Sequence, residues 1–423
     1  MNIIYIFLVL ILLLIIFFRK IDLLSIGAIG LIIYTINCAL GEVWIERGTN
    51  SYYYYSNINE KLYTIVCFQL IFIMIFITLC DFLKKKYKFL KKIKLKTLHH
   101  NIVLSEKSYQ ILLAISYAFI GTNIVQNGIS VFTLSKGDMS LNFFFSLAVV
   151  GSLVVFIYAL LNNKKKLFFF SIIPLFLTLF IGSRAYVTTA IVVVLVYNWE
   201  KIKFSIKTNL KLFVIGGLLL FAILVYKEIY IYVKDFDFNK VASILLNSQT
   251  YIDTLSDNAE SRVVFSIYNY VITNNFQLSN VDTFARVMSI FPIANDFIDT
   301  TLSVRFSTIM MNNVFNTTYG LASNFWAESY AMWGIKGIFL AQFIWMLVLF
   351  KCNKYFYMLK NKSCFILTIA SYCSFYINRL DYVQVFGMIK SVLFVYFIWI
   401  FSYYILDLLY KNKENGKLGN GYY

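Results

Sequence analysis

Proline is almost missing from this chain, with two in 423 residues. Each proline removes a backbone donor and kinks its helix, so helices here can run long without enforced breaks. Charge is scarce as well, at 14% of residues against 60% hydrophobic. A soluble chain of this length would expose far more charge, so the apolar excess has to face lipid. Histidine occurs only as His99 and His100, inside a lysine-dense stretch where both read as solvated. No HExxH, Walker or dinucleotide fingerprint is present. The six cysteines (Cys38, Cys67, Cys80, Cys352, Cys364 and Cys373) form no CxxC pair and lie within or at the edge of apolar runs. That argues against a disulfide framework and a thiolate metal site, and neither a metal nor a cofactor is expected. Ionisable groups at mid-span are nearly lacking, because Asp22, Asp81, Lys390 and Asp407 sit near span ends. A proton- or sodium-driven carrier would need them.

The chain does have aromatic residues, 19% of the total, which suit belts at membrane interfaces. A helix needs about 20 apolar residues to cross the hydrocarbon core. The apolar runs predict spans near 2–18, 23–41, 62–82, 108–128, 141–161, 167–182, 185–199, 212–230, 330–350, 363–379 and 388–409. The expected fold class is therefore all-α, a polytopic membrane protein with about 11 transmembrane helices, 1–423 forming a single transmembrane domain. The first span starts with no basic leader and no small-residue cleavage site, so it reads as retained rather than removed. Spans 167–182 and 185–199 are short, parted only by Ser183 and Arg184. Lysines flank the pair on both sides, so the chain goes out and returns there.

The formal charge of +17 sits in short bursts between apolar runs. Arg19 and Lys20, the stretch 83–107, and residues 164–166, 201–211, 351–362 and 411–423 share one side, and most acidic residues lie on the other. The positive-inside rule makes the first side cytoplasmic, with the N-terminus periplasmic and the C-terminus cytoplasmic. That placement does not suit a nucleic-acid partner.

Residues 231–324 form one large outer connection, too long for a structureless link. Asp257, Asn258, Ala259 and Glu260 resemble a capping box ahead of Val263, Val264, Ile267, Val271 and Ile272. A second stripe comprises Val281, Phe284, Val287, Met288 and Phe291, ended by Pro292; a third comprises Leu302, Phe306, Ile309 and Met310. Amphipathic helices of this kind are expected on the outer surface of the bundle, near lipid headgroups. Each segment carries one arginine: Arg262, Arg286 and Arg305. Arg47, Arg184 and Arg379 also fall outside, which leaves only Arg19 on the cytoplasmic side. Lysine suffices to orient spans, whereas arginine is preferred where a planar fork must grip phosphate or carboxylate. Two readings stay open: ion pairs with acidic outer residues, or an anion site on the outer face.

Two stretches carry a resemblance. One is Phe180-Ile181-Gly182-Ser183-Arg184, followed by an apolar run; the other is Asn324-Phe325-Trp326-Ala327-Glu328-Ser329-Tyr330, continuing to Gly334 and Gly337. They resemble the outer "GSR" turn and the "E-x-Y-x-x-x-G-x-x-G" span entry of bacterial O-antigen and capsule repeat-unit polymerases of the Wzy type. The order of parts is similar too: many spans, the turn, a large periplasmic loop, then the glutamate. The arginine-to-glycine spacings of some members have no clean counterpart here. The resemblance implies an inner-membrane glycosyltransferase that joins polyprenyl-diphosphate-linked oligosaccharides, as in lipopolysaccharide or capsule synthesis, with membrane lipid, a chain-length regulator and a flippase as partners. It implies Glu328 or Asp381 as the catalytic carboxylate, and Arg184, Arg262, Arg286, Arg305 and Arg379 as diphosphate-binding residues. Gly334 and Gly337 read as close-packing positions. The alternatives are a lipid-linked oligosaccharide flippase, a transporter, and an O-antigen ligase. Ligases usually carry a periplasmic histidine, and this chain has none there.

Overall fold

The structure is a computed structural model that describes residues 1–47, 52–87, 102–128, 143–201, 205–248, 260–291, 306, 323–356 and 363–419. Long apolar runs leave backbone groups with few polar partners, and the helix satisfies them internally. The helices are α1 (Asn2–Phe17), α2 (Leu23–Thr35), α3 (Asn37–Leu40), α4 (Glu60–Tyr87), α5 (Ile102–Asn127), α6 (Phe143–Leu161), α7 (Lys165–Phe180) and α8 (Ala185–Lys201). They continue as α9 (Ile206–Lys234), α10 (Phe238–Leu246), α11 (Glu260–Thr273), α12 (Asn280–Met288), α13 (Phe325–Asn353), α14 (Ser363–Tyr376) and α15 (Tyr382–Gly419). Among the described residues, the stretches expected to span are largely helical. Among the described residues five segments are long and apolar enough to cross a membrane: Glu60–Leu83, Ser105–Asn127, Phe143–Leu161, Phe325–Phe356 and Tyr382–Lys411. Asn2–Phe17, Leu23–Thr35 and Ala185–Trp199 are shorter apolar helices.

The described residues are helical almost throughout, as expected, apart from one short hairpin. Strands β1 (Glu42–Arg47) and β2 (Tyr52–Asn57) pair antiparallel, Glu42 opposite Asn57 and Arg47 opposite Tyr52. Val43, Trp44, Ile45 and the tyrosines at 52–55 favour extended backbone. A six-residue strand is too short to register in a search for spans.

The chain forms two compact units. The first comprises Met1–Phe89, Val192–Lys354 and Ala370–Lys390; the second comprises Leu90–Ile191, Tyr355–Ile369 and Ser391–Tyr423. In the second unit α6 is buried nearly all round, with α5 and α7 against it. A Cβ on Gly151 would lie 2.5 Å from the Ser116 hydroxyl, so glycine lets these helices approach closely. Pro174 lies inside α7. It has no N–H for the carbonyl one turn earlier, that of Phe170, and the Tyr117 hydroxyl donates to that carbonyl instead at 2.7 Å.

In the first unit Arg19 bonds Asp81 at 2.9 and 3.0 Å and Asp22 at 3.2 and 3.0 Å, tying the α1–α2 turn to α4. Burial opposes the Arg19 charge, but the two carboxylates outweigh it and raise the guanidinium pKa above its ordinary value.

The first loop stripe needs correcting. Helix α11 does not lie on the surface; it packs against α2, α4, α13 and β1, with Val264, Phe265, Ile267, Tyr268 and Val271 buried. Its polar side goes inside because it is satisfied there. Asn269 Oδ1 accepts from the Asn59 N–H at 3.0 Å, and Nδ2 donates to Ser56 Oγ at 2.8 Å. In α12 the second stripe does face outward, with Val281, Phe284 and Val287 exposed, while Ala285 and Arg286 turn inward. The third stripe and the proposed capping box fall outside the described residues except for Phe306 and Glu260; Phe306 is buried.

Candidate functional site

Helix α13 begins at a side-chain cap. Asn324 Oδ1 accepts from the Trp326 and Ala327 N–H groups, both at 3.0 Å, and its Nδ2 donates to the Val264 carbonyl of α11 at 3.2 Å. Gly334, with φ 65 and ψ −157, then breaks the helix into 325–333 and 335–353. Only glycine adopts that conformation readily. Nothing lies within 4 Å of a Cβ built at Gly334, so its role is conformational, not close packing as expected. Gly337 does pack closely: a Cβ there would collide with the Ser329 carbonyl.

One turn into α13, Glu328 is completely buried. Its Oε1 accepts from Arg286 Nε at 2.6 Å, and its Oε2 accepts from the Tyr382 N–H at 2.7 Å. The carboxylate thus sits between a guanidinium from α12 and the N-terminus of α15, both of which favour negative charge. Arg286 is itself only 1% exposed, and its Nη1 also donates to the Asp282 carbonyl at 3.2 Å.

Asp381 is buried and caps α15. Its Oδ1 accepts from the Gln384 N–H at 2.7 Å, and its own N–H donates to Gln384 Oε1 at 3.2 Å. This is a reciprocal capping box with glutamine as its far member. The Asp381 charge repels that of Glu328 while Arg286 attracts it. Phe325 stacks on the Tyr382 ring at 4.3 Å, and the Tyr382 hydroxyl lies 3.1 Å from Ser329 Oγ. Trp326 Nε1 donates to Asn378 Oδ1 at 2.8 Å. The start of α13 is therefore locked against the 377–382 turn by polar and aromatic contacts alike.

Three expected site residues, Glu328, Asp381 and Arg286, thus form one cluster. Arg379 joins the neighbourhood through its backbone, whose carbonyl accepts from the Ser323 N–H at 3.2 Å, while its guanidinium lies 5.5 Å from the Tyr376 ring. Arg262 is buried on α11, two residues from the Val264 carbonyl that holds Asn324. Arg184 belongs to the second unit. There Gly182, with φ 87, and Ser183 end α7: the Gly182 N–H donates to the Leu179 carbonyl at 2.7 Å and the Ser183 N–H to that of Thr178 at 2.7 Å. The Arg184 carbonyl accepts the first bond of α8. Arg305 lies outside the described residues. For Arg286 the ion-pair reading is the one seen in this structure.

Sequence reasoning passed over Tyr382, Asn378 and Lys61. Lys61 Nζ donates to the Tyr330 hydroxyl at 2.7 Å, which donates to Asn275 Oδ1 at 2.6 Å. The signal for Lys61 was its position, a lysine just ahead of the apolar run 62–82. Among the described residues no group of His, Cys, Asp and Glu is arranged to hold a metal ion. No protein-family model, characterised protein or solved structure matches this chain.

Proposed function

We propose that the chain is a glycosyltransferase of the periplasmic face of a bacterial inner membrane, a polymerase joining polyprenyl-diphosphate-linked oligosaccharide repeat units into O-antigen or capsular polysaccharide. On this reading eleven spans carry it, with the N-terminus periplasmic and the C-terminus cytoplasmic. The observation that supports it most is the convergence of Arg286, Glu328 and Asp381, from three separate stretches, on one buried cluster.

The chemistry needs a base and a fixed positive charge. The acceptor hydroxyl oxygen bonds to the anomeric carbon of the donor sugar as the bond from that carbon to the diphosphate oxygen breaks. The hydroxyl proton passes to a carboxylate, and the electron pair leaves with the lipid diphosphate. At rest both oxygens of Glu328 are engaged. An arriving diphosphate competes for Arg286 because it carries more charge and accepts a guanidinium fork. Arg286 then steadies the leaving group and frees Glu328 Oε1 to accept the proton. Asp381 is the other candidate base.

The test is the surface polysaccharide of a strain lacking the gene. Single repeat units on the outer core support the polymerase reading. Long chains stranded on the lipid carrier would replace it with a ligase, and units held on the cytoplasmic leaflet with a flippase.

A further inference from the structure

In the second unit, α5, α7 and the turn before α7 line a cleft of about 680 Å³. Two polar bridges cross it. At one end Lys164 Nζ contacts Glu106 Oε2 at 2.6 Å; at the other the Tyr117 hydroxyl bonds the Phe170 carbonyl that Pro174 leaves over. The tight α6–α7 turn sets the mouth, with Asn163 in the left-handed region at φ 55. The cleft is therefore preformed.

Its lining combines charged and apolar side chains. Lys165 and Lys166 stand at the mouth, exposed and without an ion-pair partner among the described residues. Glu106 is already taken by Lys164, so the mouth keeps a net positive charge. Leu113, Leu167 and Phe170 form apolar walls, Leu113 and Leu167 buried and Phe170 exposed. Those walls run on into the exposed face of α7, where Phe169, Ile173 and Phe176 stand open along a stretch too apolar for water. A soluble anion would use the lysines and waste the walls; an acyl chain alone would waste the lysines.

We propose that this cleft binds an anionic phospholipid, its phosphate between Lys165 and Lys166 and an acyl chain along Leu113, Leu167 and Phe170. A lysine near a membrane surface strengthens binding to anionic lipid by about fivefold, so the pair contributes on the order of tenfold or more. The volume is within the usual range for one partly enclosed small ligand.

The test uses the purified full-length protein, titrated with phosphatidylglycerol or with phosphatidylcholine of the same chains, and retained lipid is counted by native mass spectrometry. Phosphatidylglycerol should be retained severalfold better. Lys165→Ala/Lys166→Ala should lower its retention on the order of tenfold, and Lys165→Arg/Lys166→Arg should keep it. In the unmodified protein, a diazirine-bearing phosphatidylglycerol should label peptides covering 110–117 and 167–173, a readout that needs no variant to fold. Equal retention of the two lipids, unchanged retention in the double alanine variant, or labelling confined elsewhere would overturn the proposal. Displacement of the labelled lipid by millimolar inorganic phosphate would also overturn it, by making the site one for free phosphate.

Discussion

Glu328 takes one hydrogen bond on each oxygen, from Arg286 and from the Tyr382 amide. Glu328→Gln keeps the size of the side chain but leaves a single acceptor for two buried donors, costing about 1–3 kcal/mol. If Glu328 is the base, polymer per unit of membrane protein should also fall by about 10²–10⁴. A carboxylate that only holds α12 against α15 would lower protein abundance and leave that ratio near normal. Asp381→Asn is the cleaner comparison, since asparagine also caps helices and stability should barely change. Polymer lost in Asp381→Asn but kept in Glu328→Gln would move the base to Asp381. Arg286→Ala strands a buried carboxylate, with an expected cost of about 3–5 kcal/mol, visible as reduced abundance or thermal stability. Arg184 carries a different expectation. Arg184→Ala should abolish polymer while the protein still accumulates, and Arg184→Lys should restore part of it, since a point charge cannot form the fork. Normal polymer from Arg184→Ala would remove it from the site.

Helix α12 turns its arginine inward and its apolar stripe outward. Lipid is the surrounding that rewards this arrangement, because the exposed apolar groups need no water. In Phe284→Trp the indole should emit at short wavelength and be quenched by brominated lipid; insensitivity to that quencher would put this face in water. The break at Gly334 is the other device at this scale. Its backbone conformation is nearly closed to residues with a Cβ, so Gly334→Ala should cost about 1–3 kcal/mol despite the open space around it, read as a lowered unfolding temperature in detergent.

Orientation belongs to the whole molecule. In a background with the native cysteines replaced, a membrane-impermeant thiol reagent applied to cells whose outer envelope is permeabilised should label Gln277→Cys, in the exposed turn between α11 and α12. It should spare Asn163→Cys, in the lysine-rich α6–α7 turn, until the inner membrane is opened. The reverse pattern would invert the topology and remove the Glu328 cluster from the periplasmic face.

How much of this was written locally is clear from particular residues. Apolar runs with few prolines determined where helices form, because helix hydrogen bonds close within a few residues. The Gly182 turn was equally legible, since a left-handed glycine after an apolar run ends a helix. Glu328, Asp381 and Arg286 stood out as charges at the edges of apolar segments, but nothing in the sequence paired them; Arg286 and Glu328 are 42 positions apart. The sequence also suggested that the α11 and α12 stripes differ from their opposite faces, without saying what each face would meet. Beside lipid, an apolar face can point either to the core or to the bilayer, so periodicity alone cannot choose. Tertiary structure made the choice. Polar partners in and just after the β1–β2 hairpin hold most of α11 inside, and a buried carboxylate drew Arg286 inward and left the apolar side of α12 exposed.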